Sequence, residues 1–159
     1  MHKYNIIFES NKCVGCSICV VACKQENDLP VGVSRVRIAT IGPKEEGGEL
    51  YLDFSSTRCM HCGNAPCVPT CPQDAISKRG DGIVLVDREL CDGCEGGPLM
   101  CLEVCPFDAP EVSPADGKIE LCTLCIHRID QGLEPACVKH CISGALSFHN
   151  VAKDATPSR

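Results

Sequence analysis

Tryptophan is missing from this chain, and its 159 residues include only four Phe and two Tyr. Aromatic side chains supply much of a buried core, so this scarcity excludes a fold held together chiefly by apolar packing. No apolar run approaches the roughly 20 residues needed to span a bilayer; the longest cover residues 18–23 and 83–86. The N-terminal residues carry no signal-like apolar segment and no twin arginine. A cytoplasmic location with reduced thiols is therefore expected, without direct membrane insertion. Runs of Lys or Arg are also lacking, and the formal charge is −6. That balance speaks against nucleic acid and anionic membrane, and for partners with basic patches. No phosphate loop, dinucleotide fingerprint or Ser/His/Asp set is present, since Gly80-Asp81-Gly82 reads as a hairpin turn.

What the chain has is cysteine, 16 residues of it. The first quartet is Cys13-Val14-Gly15-Cys16-Ser17-Ile18-Cys19-Val20-Val21-Ala22-Cys23. Short intervals of this kind let a loop wrap one corner of a cubane, and glycines such as Gly15, Gly93 and Gly63 let the backbone approach the sulfides. Three more quartets follow: Cys59, Cys62, Cys67 and Cys71; Cys91, Cys94, Cys101 and Cys105; Cys122, Cys125, Cys137 and Cys141. The spacing predicts four [4Fe-4S] clusters. They would add about −8 to the formal charge, each carrying −2 with its four thiolates. Paired C-x2-C motifs also read as zinc sites, but the recurrent three-plus-one pattern with a following Pro has no purpose around a tetrahedral ion. With 16 cysteines assigned to iron, His61, His127, His140 and His149 read as ordinary surface or near-cluster histidines.

In two-cluster ferredoxins the fourth cysteine of a run ligates the other cluster, and a Pro follows it. Pro72 and Pro106 stand there in the second and third quartets, whereas Lys24 and Ile142 stand there in the first and fourth. The asymmetry suggests pairing the middle quartets with each other and the outer quartets with each other. One cluster is then held by Cys13, Cys16, Cys19 and Cys141, and a second by Cys122, Cys125, Cys137 and Cys23. Cys91, Cys94, Cys101 and Cys71 hold a third, and Cys59, Cys62, Cys67 and Cys105 a fourth.

The rest of the chain is arranged around these runs. Residues 4–8 and 145–148 are predicted strands, and 19–26 and 126–131 predicted helical turns. Strands over 33–41 and 50–54 form a hairpin with its turn across 42–48, read either as a plain surface hairpin or as a docking element. Residues 76–86 make strand, turn and strand, residues 110–117 a connector, and 118–121 a short strand. In each repeat the fourth cysteine is expected on a helical turn. The fold class is α+β: two nested, pseudo-symmetric, ferredoxin-like βαβ units stabilised by metal. Residues 1–27 with 118–149 form the outer unit, 28–58 the inserted hairpin, 59–117 the inner unit and 150–159 a flexible tail.

The quartets in order resemble the four-cluster iron–sulfur subunits of molybdenum and tungsten pterin oxidoreductases. So do residues 59–67, Cys122-Thr123-Leu124-Cys125-Ile126-His127-Arg128-Ile129, and residues 131–141. Members serve dimethyl sulfoxide reductase, polysulfide reductase and formate dehydrogenase, and similar subunits accompany tungsten aldehyde oxidoreductases. The resemblance implies an electron-transfer subunit serving a large pterin-bearing catalytic subunit, with a flavin or other redox subunit, or further copies of the chain, completing the route. It also implies a cluster order of first quartet, fourth, third, second, the first facing the catalytic subunit. Two features depart from many relatives. Residues 95–100 lengthen the third quartet and lean toward the aldehyde oxidoreductase kind, and the chain lacks a long C-terminal extension, which favours a soluble complex. The alternatives are a free polyferredoxin, a zinc-bound structural protein and an independent reductase acting at an exposed cluster.

Overall fold

The computed structural model describes residues 3–150. Its regular structure is slight: four two-stranded antiparallel sheets, five short α-helices and two 3-10 turns among the described residues. Strand β1 (Tyr4–Phe8) pairs with the last strand, β8 (Leu146–Asn150), in a register that sets Ile6 opposite Phe148. The Tyr4 and Phe148 rings stack at 5.5 Å across this pair, so two of the few aromatics are used to bind the chain's ends together. Asn150, expected in the tail, belongs to β8 and faces Tyr4; residues 151–159 lie outside the described residues.

Helix α1 (Ile18–Glu26) follows the first cysteine loop, and Asn27 caps its C-terminus by donating through its side chain to the Cys23 carbonyl. Strands β2 (Val36–Glu46) and β3 (Glu49–Arg58) then form a long hairpin. Its turn is the pair Gly47-Gly48, both at positive φ, as a two-residue hairpin turn requires. The turn expected across 42–48 is thus shorter. Pro43 cannot donate to the ladder, and the register shifts between Ile41 and Lys44 to absorb it. Midway along the hairpin, opposite Thr40, Phe54 lies against the first cysteine loop: a Cβ added to Gly15 would meet its ring at 2.3 Å.

The middle of the chain supplies α2 (Cys67–Thr70), β4 (Ile76–Lys78), β5 (Val84–Val86) and α3 (Met100–Glu103). Strand β4 pairs with β5. Strand β6 (Glu111–Val112) pairs with β7 (Ile119–Glu120), although 110–117 was expected to be only a connector. Helices α4 (Ile126–Ile129) and α5 (Ala136–Lys139) complete the order. Helix α1 packs on α5, and α2 on α3, outer with outer and inner with inner. The core is aliphatic and small, built on Val33, Val36, Ile83, Val84, Ile119 and Leu121, with half of the cysteines buried among them.

The helices carry the third cysteine of each quartet, Cys19, Cys67, Cys101 and Cys137. The fourth lies on a helix only at Cys23; Cys71, Cys105 and Cys141 come just after theirs. Part of the reason is local. A residue before Pro avoids the α region, and Cys71, ahead of Pro72, has extended φ/ψ of −71° and 117°.

Candidate metal centres

Each C-x2-C loop places a left-handed residue immediately before its second cysteine. Gly15 and Gly93 both have φ of 67°, His61 48° and Leu124 53°. The same turn is therefore built four times, twice with glycine and twice at the steric cost of a side chain in that region. In the second loop it is His61 that takes this position, while Gly63 follows the second cysteine. Gly93 is constrained again from outside, because an added Cβ would stand 2.7 Å from the Gly117 carbonyl oxygen.

All 16 cysteines are free thiols. Cys23, Cys122, Cys125 and Cys137 line one cavity together with Asn27 and Arg35. Cys59, Cys62, Cys67 and Cys105 line another, walled by Val84, Leu121 and Pro residues. Three thiols of one quartet and one from another therefore share a cavity, twice. In the first quartet, the thiols facing Cys19 are Cys141, Cys13 and Cys16. In the third, Cys101 faces Cys94 and Cys71; Cys91 is buried beside them in sequence, its N–H donating to the Asp87 carbonyl. Among the described residues no group of three or more His, Cys, Asp or Glu is arranged to hold a single metal ion.

Burial is the first cause of high thiol pKa values here, reinforced by the neighbouring sulfurs. It pushes Cys23 and Cys59 up to about 12, Cys101 to about 11, and Cys137 higher still. Such sites resist holding four bare thiolates, and a cationic cluster core is what relieves the repulsion. Hydrogen bonds to sulfur act in the same direction. Leu124 N–H donates to Cys122 Sγ at 3.5 Å and Ala109 N–H to Cys105 Sγ at 3.4 Å. The Asn27 amide reaches Cys23 Sγ at 3.8 Å and Cys125 Sγ at 3.9 Å. At Cys141, burial is outweighed by hydrogen bonds from Leu146, Ser143 and Ala145, and the thiol pKa falls.

A polar network supports the cavity around Cys23. Arg35 sets Nε and Nη2 on Glu120 Oε2 at 2.9 and 2.6 Å and gives Nη1 to Asn27 Oδ1 at 3.1 Å. Arg88 takes Glu120 Oε1 at 2.6 Å. In the sequence Arg35 falls within the strand expected over 33–41 and Glu120 within the short strand expected over 118–121. Only the long-range pairing identifies both as interior. Arg58, next to Cys59, was missed as well: the strand expected over 50–54 stops short of it, and its buried partner, the Ile6 carbonyl, lies 52 residues away in sequence.

The histidines divide. His61 is buried, its Nδ1 accepting from Val84 N–H at 3.0 Å and lying 3.9 Å from Cys59 Sγ. His127 contacts Glu26 Oε1 at 2.7 Å, His140 the Ala136 carbonyl, and His149 Ser147 Oγ. Besides Cys105, a second sulfur from outside its own quartet faces Cys59, that of Cys122, so the second quartet also borders the fourth, a neighbour that the order first, fourth, third, second does not include.

Comparison with known proteins agrees with the donor set. A 4Fe-4S dicluster domain matches residues 50–151 and another 4Fe-4S dicluster domain residues 12–75. A tetrathionate reductase subunit of Salmonella typhimurium is 39% identical over 145 residues, 91% of this chain and 56% of that protein. The thiosulfate reductase electron transfer subunit of Salmonella typhi is 38% identical, covering 92% of this chain and 76% of the relative. A polypeptide of the anaerobic dimethyl sulfoxide reductase of Haemophilus influenzae is 34% identical, covering 93% and 74%. The protein thus spans little more than half of the first of these and about three quarters of the others. Sixteen cysteines in two dicluster domains fit four [4Fe-4S] clusters.

Proposed function

Because the protein belongs to the 4Fe-4S dicluster family of iron–sulfur proteins, we propose that it is an electron-transfer subunit, relaying single electrons between a pterin-bearing catalytic subunit and a further redox partner. When bound, a [4Fe-4S] cluster carries one electron at a time. The catalytic partner is a large molybdenum-pterin reductase subunit, by analogy with the tetrathionate, thiosulfate and dimethyl sulfoxide reductases whose small subunits are related. The tungsten aldehyde oxidoreductase reading rests only on residues 95–100 and is the weaker one.

The ligand sets follow the crossed scheme. Cys13, Cys16, Cys19 and Cys141 hold one cluster; Cys122, Cys125, Cys137 and Cys23 the next; Cys59, Cys62, Cys67 and Cys105 another; and Cys91, Cys94, Cys101 and Cys71 the last. One observation carries the scheme: a single cavity is lined by Cys23 and by three cysteines from the far end of the chain. The nested outer and inner units follow from it, supported by the pairing of β1 with β8 and of α1 with α5. The electrostatic influence of Cys122 on Cys59 supports an order of first quartet, fourth, second, third.

The residues serve this role by holding charge and excluding water. Apolar walls around the Cys59 cavity lower the local dielectric, and the N–H···S bonds favour electron-rich sulfur, both of which set potentials. Two measurements test the proposal. Anaerobically purified protein should contain about 16 iron and 16 sulfide per chain, and a colourless protein with stoichiometric zinc would end the reading. Cys13→Ser and Cys23→Ser should alter different clusters by electron paramagnetic resonance despite their nearness in sequence, and loss of the same cluster in both would refute the crossed ligation.

A further inference from the structure

Arg58 ends β3 directly before Cys59 and is 4% exposed. Its guanidinium donates to the Ile6 carbonyl oxygen and to Ser56 Oγ, both neutral acceptors. Among the described residues no carboxylate is paired with it, and the nearest buried acid is already used: Glu120 holds Arg35 on one oxygen and Arg88 on the other. A buried cation without a counter-charge is costly, and Arg remains protonated in proteins. The charges that face Arg58 are sulfurs, those of Cys122, Cys137 and Cys19. Two of these belong to the fourth quartet and one to the first, so the guanidinium faces sulfurs of both outer cysteine sets.

We propose that Arg58 is the shared counter-cation of the two clusters held by the first and fourth quartets, and that its fixed charge raises the reduction potential of both. The inference rests on the ligand sets given above. Four thiolates around an oxidised core carry a net negative charge, and reduction adds another. A cation fixed in a low-dielectric interior is attracted more strongly to the reduced cluster than to the oxidised one, which favours taking up the electron. Because Arg does not titrate, the bias is constant across physiological pH. Facing sulfurs of both sets, the same charge acts on both, keeping their potentials close and the electron mobile between them. Arg35 differs in kind, since its charge is already balanced by Glu120.

The test is a redox titration of the anaerobic holoprotein followed by electron paramagnetic resonance, for Arg58→Gln, Arg58→Lys and the exposed control Lys44→Gln. In Arg58→Gln, two of the four midpoint potentials should fall, each by about tenfold in the reduced-to-oxidised ratio at fixed potential, or about 59 mV for one electron. Arg58→Lys should restore most of the shift, and Lys44→Gln should move none. Four unshifted potentials in Arg58→Gln, an equal shift of all four, or a Lys variant as displaced as the Gln variant would overturn the inference. Should Arg58→Gln fail to load, Arg58→Lys that loads fully with native potentials supports the charge role, whereas failure of both overturns it in favour of a purely structural hydrogen bond to Ile6. Loss of all cluster signal in the unmodified protein would instead refute the ligand reading, so the two failures are separable.

Discussion

Removing the Glu120 carboxylate should unfold the protein from the Cys23 cavity outward. The side chains of Glu120 and Arg35 are 5% and 14% exposed, and the fork of Arg35 closes on one carboxylate oxygen. Deleting one member of a buried pair leaves the other charged and desolvated, at a cost of about 3–5 kcal/mol. Arg35 would keep Asn27 as an acceptor, which places Glu120→Ala near the lower end, about 3 kcal/mol. Arg88 is 31% exposed and can turn to water and Asp116, so its lost bond adds under about 1 kcal/mol. With a urea slope of about 2 kcal/mol/M, the midpoint should fall by about 1.5 M. Glu120→Gln, which keeps one accepting oxygen, should fall by about half as much. The assay is anaerobic urea unfolding followed in parallel by circular dichroism and cluster absorbance. Because Asn27 links Arg35 to the thiols of Cys23 and Cys125, the cluster of the fourth quartet should be the first lost. A midpoint within about 0.3 M of the parent protein, or earlier loss of a cluster elsewhere, would refute the reasoning.

Gly15→Ala forces a Cβ into the Phe54 ring and a side chain into a left-handed position. It should destabilise the first loop by about 1–3 kcal/mol, read as accelerated loss of one cluster, and Phe54→Ala in the same protein should relieve part of it. Chelation of iron should abolish the native circular dichroism, since so small an aliphatic core cannot hold the fold; a cooperative native spectrum in cluster-free protein would contradict this. The Glu26 carboxyl is held below its usual range first by His127 and then by Arg128. A carboxyl depressed on folding contributes stability that is full above its unfolded value of about 4.3 and disappears as pH falls through the folded value. Glu26→Gln should therefore lose less thermal stability than the parent between about pH 5 and pH 3, and parallel acid limbs would count against the assignment.

Cysteine spacing and short-range pattern carry much of this fold. Strand β1, helix α1 and the β4–β5 hairpin lie within a residue or two of where alternation and turn chemistry put them, because their causes are local. The C-x2-C geometry was also legible, although the third residue of the second loop turned out to be His61 in a conformation that glycine usually occupies. Other features depend on partners far away in sequence. The two-residue strand β6 exists only because Ile119 and Glu120 lie beside it. The inward turn of Arg35, the burial of Glu120 and the enclosure of Arg58 each need elements separated by tens of residues, and no local pattern encodes them.

The antiparallel pairing of Tyr4–Phe8 with Leu146–Asn150 has a consequence for biosynthesis. The first strand leaves the ribosome about 140 residues before its partner, an interval of roughly 7–28 s at about 5–20 residues per second. With the crossed ligand sets proposed above, the middle cysteines are by then complete as a set, while Cys13, Cys16 and Cys19 still await Cys141. Loading should therefore run from the inside out, and the thiols synthesised first are the last to be sealed. They are the ones most exposed to oxidant or to the wrong metal during synthesis.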